Sequence, residues 1–226
     1  MRILAIDTSL TSVSACVYDS VGADMLAVES LLMSRGHAEA LLPLIERIIA
    51  QVAGGFSTLD RVAVTVGPGS FTGIRVGVAA ARAIGVALSI PVVGVSTLAA
   101  FAGPLVLERG VNTIVSAIDA RHNQVYIQTF DPDGRTIMRP HIANAREVAG
   151  RLGKGPFRMT GSAGAIMAIE AWAQCCVADT GGEMHNPSIE FVARLGLSAD
   201  PDRAPPDPLY LKAADVTRAA PVGVAV

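Results

Sequence analysis

The hydrophobic positions in the first part of the chain form short runs of the β type, followed by a longer helical run. Residues 2–8 form a continuous apolar run that ends in a polar turn, and residues 13–18 alternate and are β-branched, which predicts two antiparallel strands. Residues 27–33 are a candidate third strand. A helix is then predicted from apolar positions at helical spacing, with Pro43 expected to delay or bend it: Leu41, Ile45, Ile48, Ile49 and Val52.

The next segment predicts a strand over residues 61–66, a glycine-rich loop and a helix to about Leu88. Residues 83–107 carry no formal charge, and this uncharged stretch is long enough to span a membrane. However, Pro91, Gly94 and Pro104 divide this stretch. The pattern therefore favours a helix, a strand over residues 92–95 and a second helix from about Thr97, and we expect no membrane contact.

An internal repeat lies at an offset of 112 residues, close to half of the chain. Residues 3–7 (ILAID) match residues 115–119 (VSAID), and at the same offset Tyr18-Asp19 matches Phe130-Asp131 and Gly22 matches Gly134. A repeat of this period indicates two similar units, each opening with a strand that ends in Asp and continues into a hairpin. The order of predicted elements is thus an α/β fold duplicated as two lobes of βββαβα type.

The second half has weaker patterns after its first hairpin. They predict a short helix over residues 144–152, a strand over 157–160, a turn over 161–164 leading into a helix to residue 175, and a helix over 188–197. Prolines beyond Ser198 indicate an extended strap. We therefore divide the chain into an amino-terminal lobe (1–108), a carboxy-terminal lobe (109–212) and a flexible tail (213–226).

Composition limits the classes of function. The 226 residues carry a formal net charge of −2, which does not supply the positive field of a stand-alone nucleic-acid binder. The three cysteines, Cys16, Cys175 and Cys176, show no metal spacing, and the amino terminus has no signal-peptide pattern. These features favour a reducing cytoplasm.

Asp7 and Asp119 are the first candidates for chemistry, because each ends the first strand of its repeat. In an open α/β architecture a ligand lies in the crevice between such strand ends, where two carboxylates could hold Mg²⁺ through water. The alternative is that each aspartate caps its own turn. The histidines show no metal-ligand spacing, and Ser70 lacks the spacing of a serine nucleophile.

The glycine-rich loop, residues 67–73 (GPGSFTG), matches neither the dinucleotide motif nor the P-loop, so it is either an anion-binding turn or a structural one. In the helix that follows, small residues share one face: Gly73, Gly77, Ala81, Gly85 and Ser89. Because glycine weakens a helix, this stripe indicates a close contact, either with the chain's own sheet or with a partner's helix. Arg75, Arg82 and Arg121 are the charges expected at a groove.

Five segments together resemble the bacterial TsaB (YeaZ) family, which takes part in making threonylcarbamoyladenosine on tRNA next to the anticodon. They are residues 6–9 (IDTS), 35–39 (RGHAE), 66–77 (VGPGSFTGIRVG), 118–121 (IDAR) and 208–212 (PLYLK). The resemblance covers residues 1 to about 212. It implies a duplicated fold of the actin and heat-shock-chaperone ATPase type, and a non-catalytic role beside the paralogous catalytic subunit TsaD.

The resemblance also implies an eroded active site. TsaD has two metal-binding histidines four residues apart, where this chain has Thr97 and Phe101. Nucleotide-binding turns of this fold read D-x-G, whereas Ser9 and Arg121 stand at the glycine positions here. The expected remnant of the nucleotide crevice consists of Asp7, Asp119, Gly161 and Gly164. No cofactor is then required, although the crevice leaves room for weak ATP or ADP binding.

The same resemblance implies that the chain forms a homodimer when alone and a heterodimer with a TsaD-type subunit. It also implies that a TsaE-type ATPase binds to that heterodimer and that the chain contacts tRNA only as part of the complex. The expected interface lies on the amino-terminal helices: His37, Leu41, Ile45, Phe71, Gly73, Arg75, Gly77, Ala81 and Gly85. The alternatives are an ATP-dependent enzyme of the actin-like fold, a glycoprotease-like peptidase or a direct tRNA-binding module.

Overall fold

The computed structural model describes residues 1–152, 156–171, 176–177 and 185–212. The first lobe contains eight main elements in chain order: β1 (Arg2–Asp7), β2 (Ser12–Asp19), β3 (Asp24–Leu32), α1 (His37–Ile49), β4 (Arg61–Gly67), α2 (Phe71–Leu88), β5 (Val92–Ser96) and α3 (Thr97–Leu107). The remaining elements are β6 (Thr113–Asp119), β7 (Gln124–Phe130), β8 (Thr136–Asn144), α4 (Ala145–Leu152), β9 (Phe157–Thr160), α5 (Gly164–Ala171), β10 (Cys176–Val177) and α6 (Ile189–Ser198).

The two sheets have the same strand order. The first runs β3-β2-β1-β4-β5, and the second runs β8-β7-β6-β9-β10 when read from the corresponding edge. In each sheet the first three strands are antiparallel, and the later strands join parallel to the first strand of the lobe. The predicted duplicated α/β fold with lobes of βββαβα type is therefore confirmed.

The repeat is closest over the three-stranded hairpin of each lobe. β7 begins 112 residues after β2, and β8 spans the residues 112 positions after those of β3. The turn after the first strand is one residue shorter in the second lobe, because Asp7 pairs with Ser14 whereas Asp119 pairs with Val125. The second lobe then becomes shorter, with an α4 of 8 residues against 13 in α1. This shortening explains why the sequence match fades after the hairpin.

The first sheet is buried on both faces. Leu4, Ile6 and Val64 belong to a core under α1 and α2, whereas Ile3 and Ala63 belong to a second core under α6. Because both sides of β1 and β4 are covered, these strands are continuous apolar runs rather than alternating ones.

The lobes are joined by helices that cross between them. α3 follows β5 of the first sheet and packs on β6 of the second, and α6 returns from the second lobe to β1 and β4. An apolar cluster fills part of the junction, and we call it the junction cluster: Leu10, Leu98, Phe101, Ile118 and Tyr126. The division at residue 108 stays a prediction, since residues 189–198 pack on the first sheet.

The predicted helix, strand and helix over residues 83–107 are confirmed as the end of α2, β5 and α3. Length and composition alone would allow α2 to cross a membrane, and a third of that helix is buried inside the protein. α1 begins at His37 and includes Pro43, so of the two alternatives, a late start or a bend at Pro43, the late start was wrong. The last part of the helix predicted to reach residue 175 and the tail at 213–226 lie outside the described residues.

The predicted strap is confirmed at residues 199–210, which contain no regular helix or strand. The amide of Leu209 donates to the Val66 carbonyl at 2.7 Å, and the amide of Gly94 donates to the Ala204 carbonyl at 2.9 Å. The strap therefore contacts the middle of β5 and the end of β4. It also reaches the amino-terminal part of α2, where Tyr210 stacks on Phe71 with ring centroids 4.8 Å apart.

Candidate functional site

Asp7 is completely buried at the carboxyl end of β1, where it organises the turn that follows. Its Oδ1 atom accepts hydrogen bonds from the Ser9 amide at 3.1 Å, the Ser9 hydroxyl at 2.6 Å and the Thr65 hydroxyl at 2.6 Å. Its Oδ2 atom is buried without a partner among the described residues. Asp7 thus caps its own turn, as the structural alternative predicted.

Burial raises the pKa of the Asp7 carboxyl above its usual value, because the charged form loses hydration. The hydrogen bonds from Ser9 and Thr65 and the nearby His37 act in the opposite direction and do not cancel that effect. With no exposed surface, Asp7 does not meet a ligand in this conformation. Its place in a nucleotide crevice stays a prediction that requires a rearrangement of the turn.

The glycine-rich loop and α2 pack directly on the turn after Asp7. A side chain on Gly69 would overlap the Ser9 carbonyl, and one on Gly73 would overlap the Thr8 carbonyl. The Ser70 amide donates to the Ser9 carbonyl, and the Thr8 hydroxyl donates to the Gly73 carbonyl, both at 2.7 Å. In this structure the loop is therefore a structural contact between two backbone segments, which is why it is rich in glycine.

Asp119 differs from Asp7 because it is exposed. Its Oδ1 accepts from the Arg121 amide at 2.7 Å, and its own amide donates to the Ser162 hydroxyl at 3.0 Å. Gly161 has a φ of 96° and lies so close to β6 that a side chain would overlap the Ala117 carbonyl. The structure thus brings Asp119 next to the turn over residues 161–164, while Gly161 and Gly164 themselves are buried.

Arg121 adopts the left-handed backbone conformation that favours glycine, with a φ of 63°. His122 and Asn123 share this conformation, and all three residues are exposed. The backbone at position 121 is thus of the kind that a D-x-G turn would have, although its side chain is that of arginine. Binding of ATP or ADP beside Asp119 stays a prediction.

Thr97 and Phe101, which the resemblance places where TsaD has its two histidines, are buried in α3. Thr97 is fully buried, and its hydroxyl has no hydrogen-bond partner among the described residues. Phe101, one turn later, belongs to the junction cluster. Within the described parts of the chain, no group of three histidine, cysteine or acidic side chains could hold a metal ion.

The predicted interface residues divide into buried and accessible ones. The buried ones lie inside the first lobe: Leu41, Ile45, Gly73, Gly77, Ala81 and Gly85. A side chain on Gly77 would overlap the Thr8 hydroxyl, and one on Gly85 would overlap Val92. The small-residue stripe therefore serves contact with the chain's own sheet, and these six residues are not available as partner contacts in the folded chain.

The other three predicted interface residues, His37, Phe71 and Arg75, contact neighbouring segments of the chain. The His37 ring nitrogen Nε2 lies 3.0 Å from the Leu10 carbonyl and ties α1 to the turn after β1. Arg75 is exposed, and its guanidinium lies 3.8 Å from the centre of the Phe71 ring and donates to the Tyr210 hydroxyl at 2.9 Å. Phe71 and Arg75 thus form one cluster with the strap.

The outward face of α1 and α2 was missed as a set by the sequence analysis. On α2 it includes Ala79, Ala83 and Val86, the last with 81% of its surface exposed, and on α1 it includes Leu42, with 53% exposed. The signal was available, because these α2 positions follow the same helical period as the glycines on the opposite side. We call this surface the α1/α2 face.

A shallow depression of about 490 Å³ lies elsewhere on the first lobe, and the sequence patterns do not predict it. The residues that line it come from the turn after β1, the end of β3 and the segment before α6: Thr11, Leu32, Met33, Ser34, His185 and Asn186. The side-chain oxygen of Asn186 accepts from the Thr11 amide and hydroxyl, which closes one wall.

The chain is similar to proteins of tRNA threonylcarbamoyladenosine biosynthesis. Residues 31–167 match the family model described as TsaD, tRNA N6-adenosine threonylcarbamoyltransferase. The TsaB protein of Escherichia coli is 29% identical over 155 residues, which cover 65% of this chain and 66% of that protein. The corresponding protein of Haemophilus influenzae is 35% identical over 127 residues, and the chain spans about half of its length (52%).

Two further comparisons extend over nearly the whole chain. An uncharacterised protein of Mycobacterium tuberculosis is 35% identical over 214 residues, 94% of this chain and 92% of that protein. The structure of YeaZ from Pseudomonas aeruginosa superposes with a TM-score of 0.73 at 26% identity, covering 93% of this chain and 99% of that one. The match to the family model spans more than half of the residues, and the likeness to YeaZ covers most of the chain. The chain therefore belongs to the TsaD family, within which it is a TsaB-type protein.

Proposed function

We propose that this chain is a non-catalytic subunit that docks through the α1/α2 face on a TsaD-type catalytic subunit and supports the formation of threonylcarbamoyladenosine on tRNA. The single observation that carries this proposal is the outward side of α2. A helix of 18 residues without an acidic side chain exposes Ala79, Ala83 and Val86 to solvent, and no described element of the chain covers them.

The geometry of α2 suits a docking helix. Its inward side contacts the chain's own backbone so closely that glycine is needed, and this fixes the helix rigidly on β4. Its outward side carries only small side chains at Ala79 and Ala83, and α1, which packs against α2, exposes Leu42. Exposed apolar surface on a rigid helix pair is typical of a protein interface, and small side chains permit a close helix crossing.

The non-catalytic part of the proposal rests on the interior of the fold. Asp7 accepts hydrogen bonds from Ser9 and Thr65, and the glycine-rich loop covers the turn that carries it. Thr97 and Phe101 offer no imidazole to a metal ion. Both observations support a subunit that acts by contact rather than by its own chemistry.

The remaining partners follow from the family and belong to the same proposal. We infer that the chain dimerises when alone, that a TsaE-type ATPase joins the pair formed with the TsaD-type subunit and that tRNA is met only in the complex. The net charge of −2 supports an indirect contact with tRNA. The cytoplasm is the compartment where these partners would meet, and α2 serves there as a docking helix rather than as a membrane anchor.

The test places a bulky side chain on the α1/α2 face. We expect Ala79→Trp to remain folded, since the position is exposed, but to abolish co-sedimentation with the TsaD-type paralogue and threonylcarbamoyladenosine formation in the reconstituted reaction. Gly150→Trp is the matched control, because Gly150 lies on exposed α4 and an added Cβ would meet nothing within 4 Å. Unchanged pairing of Ala79→Trp would exclude this face as the docking surface.

A further inference from the structure

The two sheets have four edges, and three of them are protected against pairing with another strand. The strap lies beside β5, where the Gly94 amide donates to the Ala204 carbonyl at 2.9 Å. β8 contains Pro140 and the exposed Arg139, and its pairing with β7 shifts register twice. β10 spans only two residues, Cys176–Val177. Short strands, prolines, charges, bulges and covering segments are the features with which proteins protect sheet edges.

The outer edge of β3 lacks this protection from Ala27 to Leu32. The stretch contains no proline, lysine or arginine, and the one shift in its pairing with β2 lies before it. Its single charged side chain, Glu29, is bound by Arg47 of α1 at 2.6 Å. β3 is the last strand of its sheet, so its outward amides and carbonyls have no strand partner among the described residues.

One face of this edge is apolar and open to solvent. Ala27 is buried in the core under α1, whereas Val28 and Leu32 on the other face are 47% and 63% exposed, with Ser30 between them. Leu32 also lines the shallow depression at the end of β3. An added strand would therefore gain main-chain hydrogen bonds along β3, an apolar contact on Val28 and a recess for one side chain beside Leu32.

The opposite end of β3 determines the charge of the strand that fits. Two acidic groups near the edge are already neutralised, because Asp19 pairs with Arg2 at 3.0 Å and Glu29 pairs with Arg47. Asp24 is exposed and has no ion-pair partner in the part of the chain that the structure describes. Opposite charges on directly facing residues stabilise paired strands, so the complementary strand carries a basic side chain opposite Asp24.

We propose that the edge of β3 is a docking site for an extended segment of a partner protein, which pairs antiparallel to β3. The segment begins with an apolar side chain in the depression beside Leu32, places a β-branched side chain on Val28 and ends with a basic side chain opposite Asp24. The direction is antiparallel because such pairs are more stable per residue than parallel ones. The site shares no residue with the α1/α2 face, so it adds a second docking surface to the proposed function.

A synthetic peptide tests the site on the full chain. The probe has the length of β3, nine residues. It is acetylated, amidated and fluorescently labelled, begins with leucine, alternates threonine with valine and ends with lysine. We expect fluorescence anisotropy to give a Kd of about 10–100 μM. Hydrogen exchange should slow at alternate amides between Ala27 and Leu32, because only the amides that point away from β2 gain a new partner.

Substitutions on the chain and in the probe separate strand pairing from unspecific adhesion. Val28→Lys should weaken binding at least about tenfold, because a lysine on the edge opposes an added strand. Ile137→Lys is the matched control on β8, where the position is also exposed, and it should bind as the wild type does. A probe that ends in glutamate should bind the wild type about threefold more weakly than the lysine probe, and this order should reverse for Asp24→Lys.

The docking site is excluded if the lysine probe does not bind below about 1 mM, if Val28→Lys binds as tightly as the wild type, or if no amide of β3 gains protection. Equal binding of both probes to the wild type would contradict the role of Asp24. A second copy of this chain is the competing occupant. Sedimentation tests it with Ala79→Trp, and a dimer of that variant that Val28→Lys abolishes would overturn the assignment to a partner's segment.

Discussion

At the scale of single residues, Asp7 and Asp119 show how one repeated position acquires two environments. Both end the first strand of a lobe, yet Asp7 is covered by the glycine-rich loop while Asp119 is exposed beside Arg121. The difference comes from the loop that packs on each turn. The glycine-rich loop covers Asp7, whereas the turn over residues 161–164 lies beside Asp119 and leaves it exposed. Two identical carboxyl groups therefore differ in hydration.

The buried state of Asp7 predicts a pH dependence of stability. Its pKa in the folded chain lies above the usual value of 3.8, so between the two values the folded state binds more protons than the unfolded state. The free energy of unfolding should therefore fall as the pH rises above 3.8, with a slope from this group of at most about 1.4 kcal/mol per pH unit.

Asp7→Asn removes the titrating group and should remove that slope. Urea unfolding of the wild type and of Asp7→Asn at several pH values measures it, and the advantage of the wild type should shrink as the pH rises. Asp119→Asn is the control, since that side chain is exposed. Parallel pH profiles for the wild type and Asp7→Asn would contradict the prediction.

At the scale of elements, α2 has two sides with different requirements. Gly73 and Gly77 face the Thr8 turn, whereas Ala79 and Ala83 face solvent. The small-residue stripe and its need for a close contact are visible in the sequence, but the sequence does not choose between the chain's own sheet and a partner. That choice depends on which side of the helix meets β4, and periodicity alone does not fix it.

Gly77→Ala should destabilise the fold by about 2 kcal/mol, because the new methyl group overlaps the Thr8 hydroxyl in a packed core. Gly150→Ala should stabilise it by about 0.5–1 kcal/mol, since alanine favours a helix and the site is open. Urea unfolding of both variants measures the contrast between the same substitution in two helices. Equal effects would mean that helix preference, rather than the Thr8 contact, controls position 77.

At the scale of the whole molecule, the junction cluster and the crossing helices make one unit of two similar lobes. Leu98 and Phe101 of α3 are buried against Ile118 of the second sheet, while α6 packs on the first sheet. The two lobes therefore share apolar contacts at their junction, in addition to the helices that cross between them.

Phe101→Ala should lower the free energy of unfolding by about 3–5 kcal/mol, because it leaves a cavity in the junction cluster. Val86→Ala is the control, and it should change stability by less than about 0.5 kcal/mol, because Val86 is exposed. Chemical unfolding followed by a probe in each lobe measures the effect. A loss confined to the second lobe would contradict the view that Phe101 holds the lobes together.

Much of the fold was predictable from sequence, and the misses have physical causes. The repeat predicted both hairpins, because matching strands carry matching apolar runs. β8 was not identified as a separate strand, since its residues are mostly exposed or half-buried and include Pro140, as is typical of a sheet edge. Pro43 left open whether α1 starts late or bends, and the structure begins the helix at His37 with Pro43 inside it.

The sequence by itself determined the duplicated α/β fold, the helix and strand periods and the family resemblance, because these depend on local patterns and on motifs read along the chain. Only the tertiary structure decided that Asp7 is buried, that the glycines of α2 face inward and that Ala79, Ala83 and Val86 of the same helix face solvent. Burial and side-chain proximity arise from contacts between residues far apart in sequence, which no single segment encodes.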